Sequence, residues 1–249
     1  MHDLDPESIR ACYARQAERT APLRRYLYRK ASLARRRKIL DVGCGAGDIT
    51  AGISSMVRGD VTGLDSDERL VRLASSAHPG VRFITGDAQS LPFEDGSFDM
   101  VVCHFLLMWA GNQLKVVREM ARVLDSGGVM VACAEPDYGG RVEHPENPGF
   151  TGTLDASLER QGADIRVGRK LGRLFRDAGI PCEMGVSAEV LLGDRLLREY
   201  QDQREILLKD LSLVAGPDKA ERLLLSETEL ARGGKMLMIP IFWAIGFRP

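Results

Sequence analysis

Three glycines in five residues, Gly43, Gly45 and Gly47, follow the short apolar run 39–42 and precede a stretch with helical spacing, with Asp41 before them and Asp48 after. Glycine lets the backbone turn sharply there and come close to a ligand. In an open α/β sheet such a turn falls at the carboxyl end of a strand, where ligands bind. The spacing is G-x-G-x-G, not the G-x-G-x-x-G of dinucleotide-binding turns. Asp65 closes the next apolar run, 22 residues after Gly43, and a carboxylate in that place can accept hydrogen bonds from both hydroxyls of a ribose. Gly86, Asp87 and Ala88 close a third run, where a side-chain acceptor and a backbone N–H can hold an adenine edge. Leu91-Pro92-Phe93 and then Ser97-Phe98-Asp99 lead into a fourth. Each fragment alone has a structural explanation, since acidic residues commonly follow strands. Four of them in order, at consecutive strand ends, are harder to reach by chance.

These residues need a frame of strands and helices. Asp5 and Pro6 suit the cap and first turn of a helix through about residue 20, and Pro22 opens a second over 23–37. Strands are expected at 39–42, 60–64, 81–84, 98–103 and 129–134. The fourth is nearly all apolar, as a strand buried on both faces should be. Helices are expected at 67–77 and 112–124, the latter ending at Asp125-Ser126-Gly127-Gly128. The alternation argues for a parallel sheet with helices on both sides. Further on, 137–150 reads as a long loop, 153–163 and 169–178 as helices, 182–191 as a strand and 194–231 as helical. A final strand is expected at 235–247, with a bulge near Pro240, because proline suits edges and bulges.

The chain has 249 residues, 44% of them apolar and 28% charged, which fits an ordinary globular composition with a sizeable core and excludes collagen-like and coiled-coil classes. The longest apolar run, 236–247, is interrupted by Pro240 and falls short of the ~18 residues of a membrane span. His2, Asp3, Asp5 and Glu7 at the start do not suit a signal peptide. Five cysteines without a C-x-x-C pair read as reduced core residues, which points to a cytoplasmic location. The net charge is −1, yet residues 1–38 hold 11 Lys/Arg against 4 Asp/Glu. Such a segment suits a nucleic acid, a membrane surface, or a solvated helical face docked on an acidic body. It lacks the interleaved glycines and aromatics of RNA-binding motifs, which favours the last of these. The four histidines have no metal-ligand spacing, and neither H-E-x-x-H nor G-x-S-x-G occurs, so neither a metal nor a serine nucleophile is expected.

On the residues quoted first, the chain resembles the class I S-adenosylmethionine-dependent methyltransferases, in particular the small-molecule group called type 11. The resemblance covers 38–135 closely and the rest in outline. It implies an α/β fold with a doubly wound, mostly parallel seven-stranded sheet (a Rossmann-like methyltransferase fold), N-terminal helices and a C-terminal helical insertion. One domain is expected over 1–249: a helical cap at 1–37, a cofactor half at 38–135, and a substrate-side half at 136–249 with the insertion at about 194–231. The segment 235–247 would be a final antiparallel strand beside the sixth. The resemblance also implies S-adenosylmethionine as cofactor, leaving as S-adenosylhomocysteine. Gly43, Cys44 and Gly45 would wrap its methionine portion, Asp65 its ribose, and Asp87 and Ala88 its adenine. Asp41 and Ser66 complete the expected cofactor set, and His104 would line the methionine end.

Methyl transfer from a sulfonium asks the protein for orientation and, where the acceptor must lose a proton, for a base. A histidine, with an ordinary pKa of ~6.5, suits that work. His104 and His144 are the candidates, with Asp137 and Tyr138 behind them; cofactor lining is the competing role for His104. The acceptor is expected to be a small molecule, with C, N or O as the receiving atom, and the protein a monomer or homodimer. Two other readings are an RNA methyltransferase using the basic N-terminal segment and a protein that holds the cofactor without catalysis. Specificity is expected in 13–28, 137–150 and 194–231.

Overall fold

The computed structural model describes residues 6–249; Asp5, expected as a helix cap, lies outside them. In chain order the elements are α1 (Pro6–Lys30), β1 (Lys38–Val42), α2 (Asp48–Met56), β2 (Asp60–Asp65), α3 (Glu68–Ala77), β3 (Arg82–Thr85), β4 (Phe98–Cys103), α4 (Gln113–Val123) and β5 (Leu124–Pro136). There follow β6 (Val142–His144), α5 (Pro148–Arg160), α6 (Leu171–Asp177), β7 (Cys182–Ser187), β8 (Val190–Leu192), α7 (Asp194–Asp202), α8 (Arg204–Ala215), α9 (Pro217–Arg232), β9 (Met236–Met238) and β10 (Ile241–Phe247). They group into two compact units. The first takes the chain up to Glu135 with Gly168–Gly185 and Phe242–Pro249; the second takes Pro136–Val167 and Val186–Ile241.

The first unit is built on a seven-stranded sheet in the order β3-β2-β1-β4-β5-β10-β7. β1 pairs in parallel with β2 and β4, β2 with β3, and β4 with β5. Apart from β3, whose residues are at most half-buried, the apolar runs that marked these strands in sequence are buried on both faces. Ile39, Val61, Met100, Val129 and Val131 form one core with Leu27, Tyr28 and Ala31 of α1 and Ile53 of α2. Burying each such aliphatic side chain contributes about 1.5–3 kcal/mol. Asp67 caps α3 by accepting the Arg69 N–H at 2.9 Å, and Asn112 caps α4 by accepting that of Lys115 at 3.0 Å. Each satisfies a helix N–H that has no partner inside the helix.

In the second unit β6, β9 and β8 form an antiparallel sheet in which Glu143, Leu237 and Leu191 stand side by side. Phe150, Leu196, Tyr200, Leu211, Leu224 and Leu237 make its apolar core. Beside that core lies a buried polar network. Lys235, 0% exposed, has its ammonium 2.9 Å from Glu227 and 2.5 Å from Glu143. The Tyr200 hydroxyl donates to Glu227 Oε1 at 2.6 Å, and the Asn147 amide donates to Oε2 at 2.9 Å.

Several boundaries differ from the sequence expectation. α1 runs unbroken through Pro22. Leu27, Tyr28 and Ala31 bury beyond it, while Pro22 and Glu18 are exposed, so the carbonyl that loses its N–H partner is open to water. The turn expected at 125–128 belongs to β5, where Gly127 N–H donates to Arg248 O and Arg248 N–H to Gly128 O, each at 2.9 Å. The 137–150 loop contains β6 and the start of α5. The strand expected at 182–191 divides into β7 and β8, and that at 235–247 into β9 and β10, each half in a different sheet. Pro240 therefore lies between two strands instead of at a bulge within one.

Removing one partner of a buried ion pair strands the other charge. Lys235→Met should lower unfolding stability by about 3–5 kcal/mol, and adding Glu227→Gln should recover part of the loss. Urea denaturation followed by circular dichroism checks this; additive losses from the two substitutions would show that they are not coupled.

Candidate cofactor and active site

The carboxyl ends of β1, β2 and β3 come together through hydrogen bonds to the backbone. Gly43 and Cys44 N–H both donate to Leu64 O, at 2.7 and 3.0 Å, and Gly86 N–H donates to Asp65 O at 2.9 Å. The Asp65 carboxylate joins two loops, accepting Gly45 N–H at 2.8 Å on Oδ2 and Asp67 N–H at 3.0 Å on Oδ1. Burial pushes the Asp65 pKa up, and the backbone donors pull against that shift. Each carboxylate oxygen has a further lone pair for a ligand hydroxyl.

The glycine turn has no room for side chains. Gly43, with φ +76°, would place a Cβ 2.8 Å from Leu106 Cδ1, and Gly47, with φ +87°, would place one 2.7 Å from the Phe83 ring. Asp41 is 2% exposed and accepts the Thr50 hydroxyl at 2.7 Å, which ties the end of β1 to α2. Burial raises its pKa to about 6. Cys44 is buried, and burial pushes its thiol up, so it is a poor nucleophile. Ser66 and Asp87 are exposed and Ala88 half-buried; Asp87 accepts Gln89 N–H at 2.8 Å. The Tyr13 ring of α1 lies over Gly45, 3.0 Å from where a Cβ would stand. Burial, then the charges of Asp65, Cys12 and Asp67, push its phenol up.

His104 follows β4. Its Nε2 lies 2.8 Å from Thr20 Oγ1, which also receives Arg24 Nη1 at 2.5 Å and donates to Gln16 O at 2.8 Å. Burial, then the positive charges of Arg24 and Arg19, lower the His104 pKa to about 3. Phe105, next to it, has φ +52°, which costs a residue with a Cβ about 1–2 kcal/mol. What holds this turn is Glu135 at the end of β5, wholly buried. Its carboxylate accepts the N–H groups of Leu106 at 3.0 Å, Leu107 at 2.9 Å and Met108 at 3.2 Å.

The first unit thus brings together Asp41, Gly43, Cys44, Gly45, Asp65, Ser66, Asp87, Ala88 and His104 around adjoining strand ends. The other candidates belong to the second unit. Asp137 is 1% exposed, and its N–H donates to Pro240 O at 3.0 Å. Tyr138 lies under the Arg141 guanidinium, 5.6 Å from ring centroid to Cζ, and Arg141 pairs with Asp155 at 2.6 Å. His144 ends β6 and is exposed. Sequence reasoning missed Thr20, Arg24 and Thr50 as partners of site residues, and Glu135 as the anchor of the loop after β4. Only Glu135 carried a signal, as an acid at the end of an apolar strand.

Residues 40–132 match the type 11 methyltransferase domain profile, and the sheet order is that of the class I methyltransferase fold. This stretch is similar to type 11 methyltransferase domains. Among curated proteins it is similar to the demethylmenaquinone methyltransferase of Staphylococcus aureus strain JH9, with 43% identity over 103 residues. That match spans 39% of this chain and only 42% of the relative. Two solved structures share the fold over most of both chains. The YcgJ protein of Bacillus subtilis superposes with a TM-score of 0.61 at 21% identity, over 88% of this chain and 96% of that one. The BH2331 protein of Bacillus halodurans C-125 gives 0.62 at 18% identity, over 92% and 98%.

Burial raises the Glu135 pKa from 4.5 to about 7. The folded state then holds more protons than the unfolded state between those values, so this group's stabilising contribution is full below pH ~4.5 and is lost as pH rises through ~7. Glu135→Gln keeps an acceptor for the turn but cannot titrate. The stability of the parent relative to this variant should therefore fall by up to about 3 kcal/mol across that window. Denaturation at several pH values measures it, and parallel curves would contradict the shift.

Proposed function

We propose that the chain is an S-adenosylmethionine-dependent methyltransferase acting on a small-molecule acceptor. The observation that carries the reading is the Asp65 carboxylate fixed between the Gly45 and Asp67 N–H groups, beside a turn whose glycines leave no space for a Cβ. The residues present fit the cofactor. Gly43, Cys44 and Gly45 would meet its methionine portion with backbone, Asp65 and Ser66 its ribose hydroxyls, and Asp87 and Ala88 its adenine. When bound, the cofactor supplies an electrophilic methyl on a sulfonium, a group that needs orientation more than covalent help from the protein.

The surroundings of His104 favour a lining and orienting role. Thr20 spends its proton on Gln16 O, so Nε2 supplies the proton of the Thr20 contact and Nδ1 remains an acceptor. Burial, then Arg24 and Arg19, keep the ring neutral, and a base of such low pKa has little driving force for proton abstraction near pH 7. Asp137, Tyr138 and His144 stay in this reading as acceptor-side groups. No helix among the described residues is long and apolar enough to cross a membrane, and the cytoplasm suits the reduced cysteines.

Calorimetry should show S-adenosylmethionine and S-adenosylhomocysteine binding with Kd in the micromolar range, ~8 kcal/mol. Asp65→Asn removes the charge from the ribose contact and should weaken both by about 10- to 100-fold. No heat with either ligand would reject the reading. Product mass after incubating metabolites with isotopically labelled cofactor then identifies the acceptor.

For His104, NMR titration should show a neutral ring down to at least pH 5, and Arg24→Gln should move its pKa upward, since a nearby positive charge is removed. A parent ring that titrates near 6.5 would return His104 to the base role.

A further inference from the structure

Within the basic N-terminal segment, α1 reaches the cofactor site through Tyr13 and Thr20, whereas most of the charges after α1 have no ion-pair partner among the described residues. Arg35, Arg37 and Lys38 lie at the entry to β1 and are exposed, as is Arg58 at the entry to β2. None of the four makes an ion pair with a described residue. Backbone bonds gather them. Asp60 N–H donates to Arg37 O at 2.7 Å, and Lys38 stands opposite Asp60 in the parallel register. Asp99 at the start of β4 accepts the N–H groups of Arg37 at 2.7 Å and Lys38 at 3.1 Å. The half-buried Arg36 binds the Asp99 carbonyl at 3.3 Å. The result is five cations around two carboxylates, Asp60 and Asp99, at the amino ends of β1 and β2. Other acids at this end lie toward β4 and β5: Glu94, Asp95, which pairs with Arg122 at 2.7 Å, and Asp125.

Next to Arg58, at the end of α2, Met56 is 47% exposed. An apolar side chain beside cations suits the headgroup level of a bilayer, where the charges meet anionic lipid and the apolar group enters the acyl boundary. A single-stranded nucleic acid calls for aromatic side chains on which bases stack, and none of the four exposed cations has an aromatic neighbour in sequence. The remainder of the chain, residues 39–249, holds 23 Lys/Arg against 31 Asp/Glu, so a polyanion reaching beyond the patch meets like charge, whereas a planar surface needs only this end.

We infer that the amino-end face of the first unit, Arg35, Arg37, Lys38 and Arg58 with Met56, docks on a bilayer carrying anionic lipid. The inference does not depend on the methyltransferase reading. The glycine turn follows the carboxyl end of β1, so docking by the amino ends leaves that turn facing away from the bilayer.

The test is flotation of the full chain with phosphatidylcholine vesicles, with and without phosphatidylglycerol, at low and high salt. Binding is expected only with phosphatidylglycerol, and salt should weaken it. Arg37→Gln with Lys38→Gln should lower the vesicle partition by about tenfold or more. Lys219→Gln with Arg222→Gln, two exposed cations of α9, should leave it unchanged. Circular dichroism confirms that each variant is folded, and all four positions are exposed. Three results overturn the inference: no flotation at low salt, an equal loss in the α9 pair, or salt-sensitive binding to a single-stranded RNA without binding to vesicles.

Discussion

One carboxylate organises the cofactor end of the sheet. Asp65 sits where β2 ends and binds the N–H of Gly45 in one loop and of Asp67 in the next. Those two donors otherwise face a partly buried space with no backbone partner, and an unmade bond of that kind costs about 1–3 kcal/mol. The parallel register of β1 on β2 brings them within reach, and the left-handed glycines turn them inward. Gly43 and Cys44 then close on Leu64 and Gly86 on the Asp65 carbonyl. A ligand arriving there meets a surface that is already ordered, so little conformational entropy remains to be lost on binding.

Glu135 does comparable work on the neighbouring strands. The loop after β4 contains a left-handed Phe105 and presents three successive N–H groups to one buried carboxylate. The strained residue persists because the surrounding bonds over-determine it. Its neighbour His104 is fixed from the other side by Thr20 and Arg24 of α1. An N-terminal helix and the end of a central strand thus hold a single imidazole, and burial, helped by the positive helix side chains, keeps it uncharged.

The parts of the fold that repeat a local rule were legible in sequence. Apolar runs 39–42, 60–64 and 98–103 mark strands because burial on both faces leaves few polar positions, and the glycines between β1 and α2 mark the turn. The mostly parallel seven-stranded sheet followed from these. What was not legible depends on pairing between distant segments. The last strand expected at 235–247 is apolar after Lys235, so nothing local shows that β9 and β10 serve different sheets. Pro22 signals a helix break, and only the burial of Leu27, Tyr28 and Ala31 overrides it. Among the site residues, the glycines and Asp65 announce themselves by position, whereas the Thr20–His104 contact joins residues 84 apart and has no sequence pattern. The Lys235 network, with partners in β6, α7 and α9, is hidden for the same reason.

The place of β10 in the large sheet has a consequence for synthesis. It lies between β5 and β7, although both are made before it. Until β10 arrives, each of those strands has an open edge of unpaired N–H and C=O groups, the kind of template that invites pairing with another chain. Between Ser187 and Ile241 the ribosome must add the whole of β8, β9 and three helices, which takes roughly 3 to 10 s at ordinary elongation rates of about 5–20 residues per second. The nascent chain therefore carries a gapped sheet for seconds, and during that interval chaperone access, not the stability of the finished fold, governs how much of it escapes aggregation.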